Sequence, residues 1–267
     1  MITRSRFLAG AAGACSLAAL GAWPRRRGTL YFHANFNRDA DTFPAWSIYG
    51  STATTDPTIV RAGSHSVKLS ANNANTGGNG SRVDLFKYGL FFNGHERYIG
   101  FSVYFPTNMR SQFTSTGWGC MFTEPGYAHG GGFPPIAMYY DPNLSGANSR
   151  LYMSTHKSNG DSTTIWSSGA VTHGRWIDIT LRIFFHDTSA GWVEMWIDGV
   201  KQTFNNSQQR YYHNTLCPGM GDDPGGLLVH NCYRKDGIAS NVIIYQDEIK
   251  VGSTYAIVQP QKLREKG

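Results

Sequence analysis

The stretch from Arg175 to His186 alternates without a break. Ile177, Ile179, Leu181, Ile183 and Phe185 fall on one side, and Trp176, Asp178, Thr180, Arg182 and Phe184 on the other. A period of two belongs to a β-strand, whose successive side chains point to opposite faces. Gly191 to Val200 repeats the pattern, with Val193, Met195 and Ile197 opposite Trp192, Glu194, Trp196 and Asp198. Asp198-Gly199 supplies residues that tolerate positive φ, so the two segments read as a hairpin closed by a tight turn.

Further alternating runs bounded by turn residues predict strands at 30–36, 65–71, 81–86, 97–105, 117–123, 136–141, 150–156, 226–234 and 241–251. No long helical apolar period appears after the first residues. About a dozen strands, many apolar on one face and polar or aromatic on the other, predict two sheets, one of them concave toward solvent. The fold class is therefore all-β, a two-sheet jelly-roll sandwich. Loops rich in Gly, Asn and Ser at 71–80, 126–132 and 218–226 are too short for domain linkers. One domain is expected over residues 24–267.

Residues 1–23 are of another kind: Arg4 and Arg6 precede an apolar run of small residues from Phe7 to Trp23, too short for a membrane span and shaped like a signal segment. Thr3-Arg4-Ser5-Arg6-Phe7-Leu8 is close to a twin-arginine signal but has Ser5 in place of an adjacent Arg. A secreted or periplasmic protein without stable membrane association is expected. Cys15 apart, the body holds Cys120, Cys217 and Cys232, an odd number that permits at most one bridge. Cys217 with Cys232 is the pair closest in sequence, and a buried free thiol is the equal alternative for each.

The net charge of +6 comes from 18 acids against 24 bases, and it favours an anionic partner. Arg25-Arg26-Arg27 reads as a solvated linker, so the chain offers no block that singles out nucleic acid. Other chemistries lack their residues. Glu194 and Asp198 share a strand face, but Asp198 is explained by its turn, which leaves no retaining-glycosidase pair in sequence. No metal-ligand spacing and no Gly-x-Ser-x-Gly motif occurs. No cofactor is expected to be required, and a structural calcium at Asp222-Asp223 is left open.

Arg, His and Tyr near strands and loops remain, and these suit β-elimination on a uronic acid. Removing the C5 proton builds charge on the adjacent carboxylate, which a guanidinium fork can stabilise. A base takes that proton and an acid supplies one to the leaving oxygen on C4, tasks open to His and Tyr.

Ser81-Arg82-Val83-Asp84-Leu85, Glu96-Arg97-Tyr98-Ile99-Gly100-Phe101-Ser102-Val103-Tyr104-Phe105-Pro106, Gly174-Arg175-Trp176 and Leu181-Arg182 stand in that order. Gly191 to Gly199, Cys232-Tyr233-Arg234 and Tyr245 to Gly252 follow. In these landmarks, spread over residues 65–258, the sequence resembles the heparin-lyase-I-like polysaccharide lyases, a concanavalin-like jelly-roll group that includes glucuronan lyases. The resemblance implies Arg82, His129 and Tyr233 as catalytic residues. Arg82 would neutralise the carboxylate, while His129 and Tyr233 divide the base and acid work. Arg182, Tyr98, Tyr104, Tyr139, His230 and Arg234 are candidates for substrate binding.

The plain structural readings of the three catalytic candidates are a surface strand Arg, a loop His and a packed sheet Tyr. His230, three residues before Tyr233, should point to the opposite side unless a bulge intervenes. Glu124 occupies the region where the family tends to carry Gln, and it would repel an anionic sugar unless paired or protonated. Val229, where some heparin-cleaving relatives have Lys, argues against a highly sulfated substrate. The expectation is a monomeric, exported lyase acting on an anionic, uronic-acid-containing polysaccharide. The rivals are a non-catalytic carbohydrate-binding module on the same scaffold and a sandwich glycoside hydrolase.

Overall fold

A computed structural model describes residues 28–37, 46–50, 52–72, 81–114, 119–127, 133–157, 160–217, 226–234 and 241–260. The signal-like segment, Cys15, Arg25-Arg26-Arg27, His129 and Asp222-Asp223 lie outside the described residues.

Sixteen strands follow one another among the described residues. They are β1 (Leu30–Ala34), β2 (Ser47–Gly50), β3 (Thr52–Asp56), β4 (Ser66–Asn72), β5 (Ser81–Phe91), β6 (His95–Tyr104), β7 (Cys120–Tyr127) and β8 (Ile136–Asp141). The second half holds β9 (Arg150–His156), β10 (Ser162–Ser167), β11 (Trp176–Phe185), β12 (Trp192–Ile197), β13 (Val200–Lys201), β14 (Tyr211–Tyr212), β15 (Gly226–Arg234) and β16 (Asn241–Gly252). They form two antiparallel sheets, as the alternation predicts. A nine-stranded sheet has the order β13-β12-β11-β6-β16-β4-β3, with β1 also on β16 and β14 on β12. A seven-stranded sheet runs β10-β9-β8-β7-β15-β5-β2.

The inner faces build one core. Ile177, Ile179, Leu181, Ile183 and Phe185 of β11 all point into it and meet Val83, Leu85, Phe122, Met138, Tyr140 and Cys232 from the seven-stranded sheet. Fully burying an aliphatic side chain of this size contributes about 1.5–3 kcal/mol relative to exposure, so the period-two pattern fixes which face turns inward. The predicted hairpin forms, with Ile179 opposite Ile197 and Phe184 opposite Trp192. Asp198 and Gly199 at its tip have φ of 50° and 81°, two consecutive left-handed residues as such a turn requires.

One polar side chain crosses the apolar layer. Gln246, on β16 and fully buried, donates from Nε2 to the Phe122 carbonyl at 2.8 Å and to the Asn231 carbonyl at 3.4 Å. Its Oε1 accepts from His230 Nδ1 at 2.6 Å. Through it the nine-stranded sheet holds β7 and β15 of the other sheet from behind.

The three body cysteines are buried thiols. The sulfur near Cys232 belongs to Cys120 on the neighbouring strand, 3.3 Å away, because sheet pairing brings β7 beside β15. Cys217, the sequence neighbour, instead lies 3.6 Å from the Phe133 carbonyl.

Candidate active site

The outer face of the seven-stranded sheet carries a groove of about 1100 Å³. Every strand from β5 to β10 in the sheet order contributes to it: Arg82, Tyr233, Glu124, Tyr139, Tyr152 and Thr164 are among its lining residues. Five gaps between neighbouring strands make it roughly 24 Å across.

At one end Arg82 and Tyr233 face each other as direct cross-strand partners of β5 and β15. The Arg82 guanidinium lies over the Tyr233 ring, 5.6 Å from its centre, and its Nε is 3.3 Å from Asp84 Oδ2. Two of the three expected catalytic residues thus meet in the groove although they stand 151 positions apart in the chain. For the third, His129, the described residues on either side, Tyr127 and Phe133, both line the groove.

Behind this pair, Asn231 stands between two carboxyl groups. Its Nδ2 donates to Glu124 Oε1, and its side chain also hydrogen-bonds Asp84. Burial, and then the neighbouring Asp84, push the Glu124 carboxyl up to about 8. Burial raises Asp84 to about 6, held back by Arg82 and by the Asn231 hydrogen bond. Met121 and Glu124, three apart, would face opposite sides of a regular strand. An irregularity in the β7–β8 ladder between Met121 and Thr123 turns both into the groove. At Gly126, φ is +79° and an added Cβ would collide with the Thr215 carbonyl, so this end of β7 needs glycine.

The floor continues as an aromatic platform. Tyr139 on β8 stacks on Tyr152 of β9, with ring centres 4.7 Å apart and planes within 8°. The Tyr139 hydroxyl is 3.1 Å from His156 Nε2. His156 Nδ1 donates to the Pro134 carbonyl at 2.8 Å, which leaves Nε2 as the acceptor for Tyr139. Burial lowers the His156 pKa and raises that of Tyr139 well above the ordinary phenol value. Both members of the pair are therefore neutral near pH 7. His156 is absent from the sequence candidates; the available signal was its parity with Tyr152 and Ser154 on one strand. At the far end Arg150 is tied to Asp141 at 2.9 Å.

The structure brings Tyr139 to the groove, as expected, and places the other binding candidates elsewhere. Arg182 lies on the outer face of the nine-stranded sheet, bonded to Glu96 at 2.9 Å and Glu194 at 3.2 Å. Its guanidinium sits over the Tyr98 and Trp192 rings. Tyr104 is on that same face against Trp176 and Tyr245. These three residues alternate correctly with the core but belong to the sheet that faces away from the groove.

His230 is fully buried between the sheets, edge-on to Phe101 at 4.7 Å. The β15–β5 ladder runs without a shift from Leu228 to Arg234, and the register shift between His230 and Tyr233 on the β7 side does not bring His230 round to the side of Tyr233. Arg234, next to Tyr233, points inward for the same reason; it is fully buried, with Nη2 3.3 Å from Ser81 Oγ. Glu194 and Asp198 are structural, Glu194 being held by Arg182, Lys201 and Arg210. Asp198 is bonded to the Asp178 amide and Arg175. Among the described residues no three His, Cys, Asp or Glu side chains group as a metal site.

A family model described as polysaccharide lyase matches residues 27–250. The fold is similar to that of an endo-β-1,4-glucuronan lyase from the fungus Trichoderma reesei, with TM-score 0.63 and 16% identity over 88% of this chain and 100% of that one. It is also similar to a PL-14 alginate lyase from Aplysia kurodai, with TM-score 0.53 and 12% identity over 84% and 98% of the two chains. For the alginate lyase vAL-1 from a Chlorella virus the TM-score is 0.51, with 15% identity over 85% and 100%. No curated protein sequence matches the chain.

Proposed function

The chain belongs to the polysaccharide lyase family, and we propose that it cleaves a uronic-acid-containing polymer by β-elimination in the groove of the seven-stranded sheet. The observation that carries this reading is the Arg82–Tyr233 pair: a guanidinium and a phenol side by side at an open groove. The glucuronan and alginate acted on by lyases of similar fold are both polyuronides, which supports the substrate class.

In this reading the uronate carboxylate lies against Arg82, whose permanent charge stabilises the enolate-like species formed as C5 loses its proton. Tyr233 and His129 divide the two proton transfers, Tyr233 delivering its proton to the leaving O4. The Tyr139–Tyr152 stack, locked by His156, offers flat apolar surface to the sugar rings on one side of the cleaved bond. Side chains alone perform these steps. The protein is read as a monomer exported by its leader, and no helix among the described residues is long and apolar enough to cross a membrane.

The test is to incubate the purified protein with glucuronan, polymannuronate and polyguluronate and follow ultraviolet absorbance from the C4–C5 double bond. Growth of absorbance together with new reducing ends is the expected result. New reducing ends without absorbance would show a hydrolase, and retention without cleavage would show a binding module; either overturns the reading.

A further inference from the structure

An anionic sugar in this groove would settle near two buried carboxyl groups, Glu124 in the lining and Asp84 paired with Arg82. Glu124 lines the groove while being only 6% exposed. Asp84, on the strand beyond β15, is similarly buried. Arg82 reaches Asp84 rather than Glu124, and Asp84 Oδ1 has no hydrogen-bond partner.

With both carboxyls ionised, Arg82, Asp84 and Glu124 together would carry one net negative charge before any substrate arrived. Among the described residues, the other groups facing Glu124 supply no cation: they are Asn231 and Tyr233 from β15, Tyr127 from β7 and Tyr139 from β8, the Tyr127 and Tyr139 phenols being raised by burial. Two carboxylates in so dry a place do not both ionise, and the proton settles on the one farther from the guanidinium. That is Glu124, whose carboxyl is pushed up to about 8 against about 6 for Asp84, in each case first by burial.

We propose that Glu124 is a substrate-binding residue that meets the uronate as a neutral carboxylic acid, donating its hydroxyl hydrogen to the sugar carboxylate that Arg82 holds from the other side. The inference rests on the lyase reading above. It assigns Glu124 the donor role that an amide would fill, and it makes the site dependent on one proton that is not consumed in the reaction. Asn231 keeps the carboxyl in place by donating to its other oxygen, so the hydroxyl is left to face the groove.

The experiment compares the pH profile of kcat/KM for the wild type, Glu124→Gln and Glu124→Ala on the best polyuronide. The wild type should lose about tenfold per pH unit above about pH 8. Because an amide donates at every pH, the profile of Glu124→Gln, normalised to its own rate at pH 7, should lack that alkaline fall, while Glu124→Ala should drop about 100-fold throughout. Infrared spectra give a readout independent of turnover: beside the contribution of Asp247, which burial raises to about 7, a protonated carboxyl band at pH 7 that is missing in Glu124→Gln. Absence of that band from the wild type, or an alkaline fall unchanged in Glu124→Gln, overturns the proposal. So does loss of activity on chelation that calcium restores, since a cation would then separate the carboxylates. A wild type inactive on every polyuronide but retaining the infrared band would instead sink the lyase reading.

Discussion

His230 Nδ1 donates to Gln246 Oε1 at 2.6 Å across the middle of the sandwich, the imidazole coming from the grooved sheet and the amide from the sheet behind it. The other ring nitrogen, Nε2, is buried without a hydrogen-bond partner, so the ring is neutral, and burial lowers its pKa to about 3 despite the Gln246 contact. Unfolded, the same imidazole titrates near 6.5. Between those values the unfolded chain binds one more proton, so stability falls as the pH falls through that window and is fully present above it. The full shift corresponds to roughly 5 kcal/mol. Urea midpoints at pH 7 and pH 4 should therefore lie farther apart in the wild type than in His230→Asn; equal separations would refute the assignment.

Tyr233→Phe keeps the ring under the Arg82 guanidinium and removes the proton carrier. Turnover should fall about 10²–10⁴-fold while the urea midpoint stays where it was. A variant with wild-type kcat would remove Tyr233 from the proposed chemistry.

Arg82→Ala removes the charge opposite the carboxylate and should lower kcat/KM by about 10²–10³-fold. Arg82→Lys should recover only part of this, because an ammonium lacks the planar fork that matches a carboxylate. Full recovery with Lys would mean that charge alone matters at this position.

Removing His156 takes away the ring nitrogen that the buried Tyr139 hydroxyl meets at 3.1 Å. His156→Ala should cost about 1–3 kcal/mol in stability and, by freeing the platform, raise KM more than it lowers kcat. A change confined to kcat would point to proton transfer by this pair instead.

Arg182→Ala discriminates between the two faces of the molecule. It breaks the links to Glu96 and Glu194 on the outer sheet, where Lys201 and Arg210 still hold Glu194. Stability should drop by about 1 kcal/mol, and kcat/KM should stay within about twofold. A large kinetic loss would bring the outer sheet into the binding surface.

The sequence made the sandwich legible wherever one face of a strand is largely apolar. Ile136–Asp141, Arg150–His156 and Gly226–Arg234 have the predicted bounds, and the β11–β12 hairpin has the predicted turn. Thr52–Asp56 and Ser162–Ser167 were not expected as strands. Both are hydroxyl-rich edge strands: Thr52–Asp56 buries little, and Ser162–Ser167 buries the adjacent Ile165 and Trp166, so neither shows a period of two in its apolar residues.

In the site, Arg82 and Tyr233 were legible through motifs, and their juxtaposition required the pairing of β5 with β15. Alternation tells which residues share a face but not which sheet bears the groove, and for that reason Arg182, Tyr98 and Tyr104 were expected beside the groove although they lie on the other sheet. Glu124 depends on a bulge in β7, and His156 on a partner 17 positions away on the neighbouring strand, neither of which has a local signature.

Because the groove lies across its strands instead of along one of them, a bound polymer would step to a new strand at about every residue of sugar. Recognition would then work like a ruler whose graduations are strands. Short oligomers would register with only a few of those marks, and changes to the Ser162–Ser167 edge would be felt as a shift in preferred product length while the bond-breaking end kept its speed.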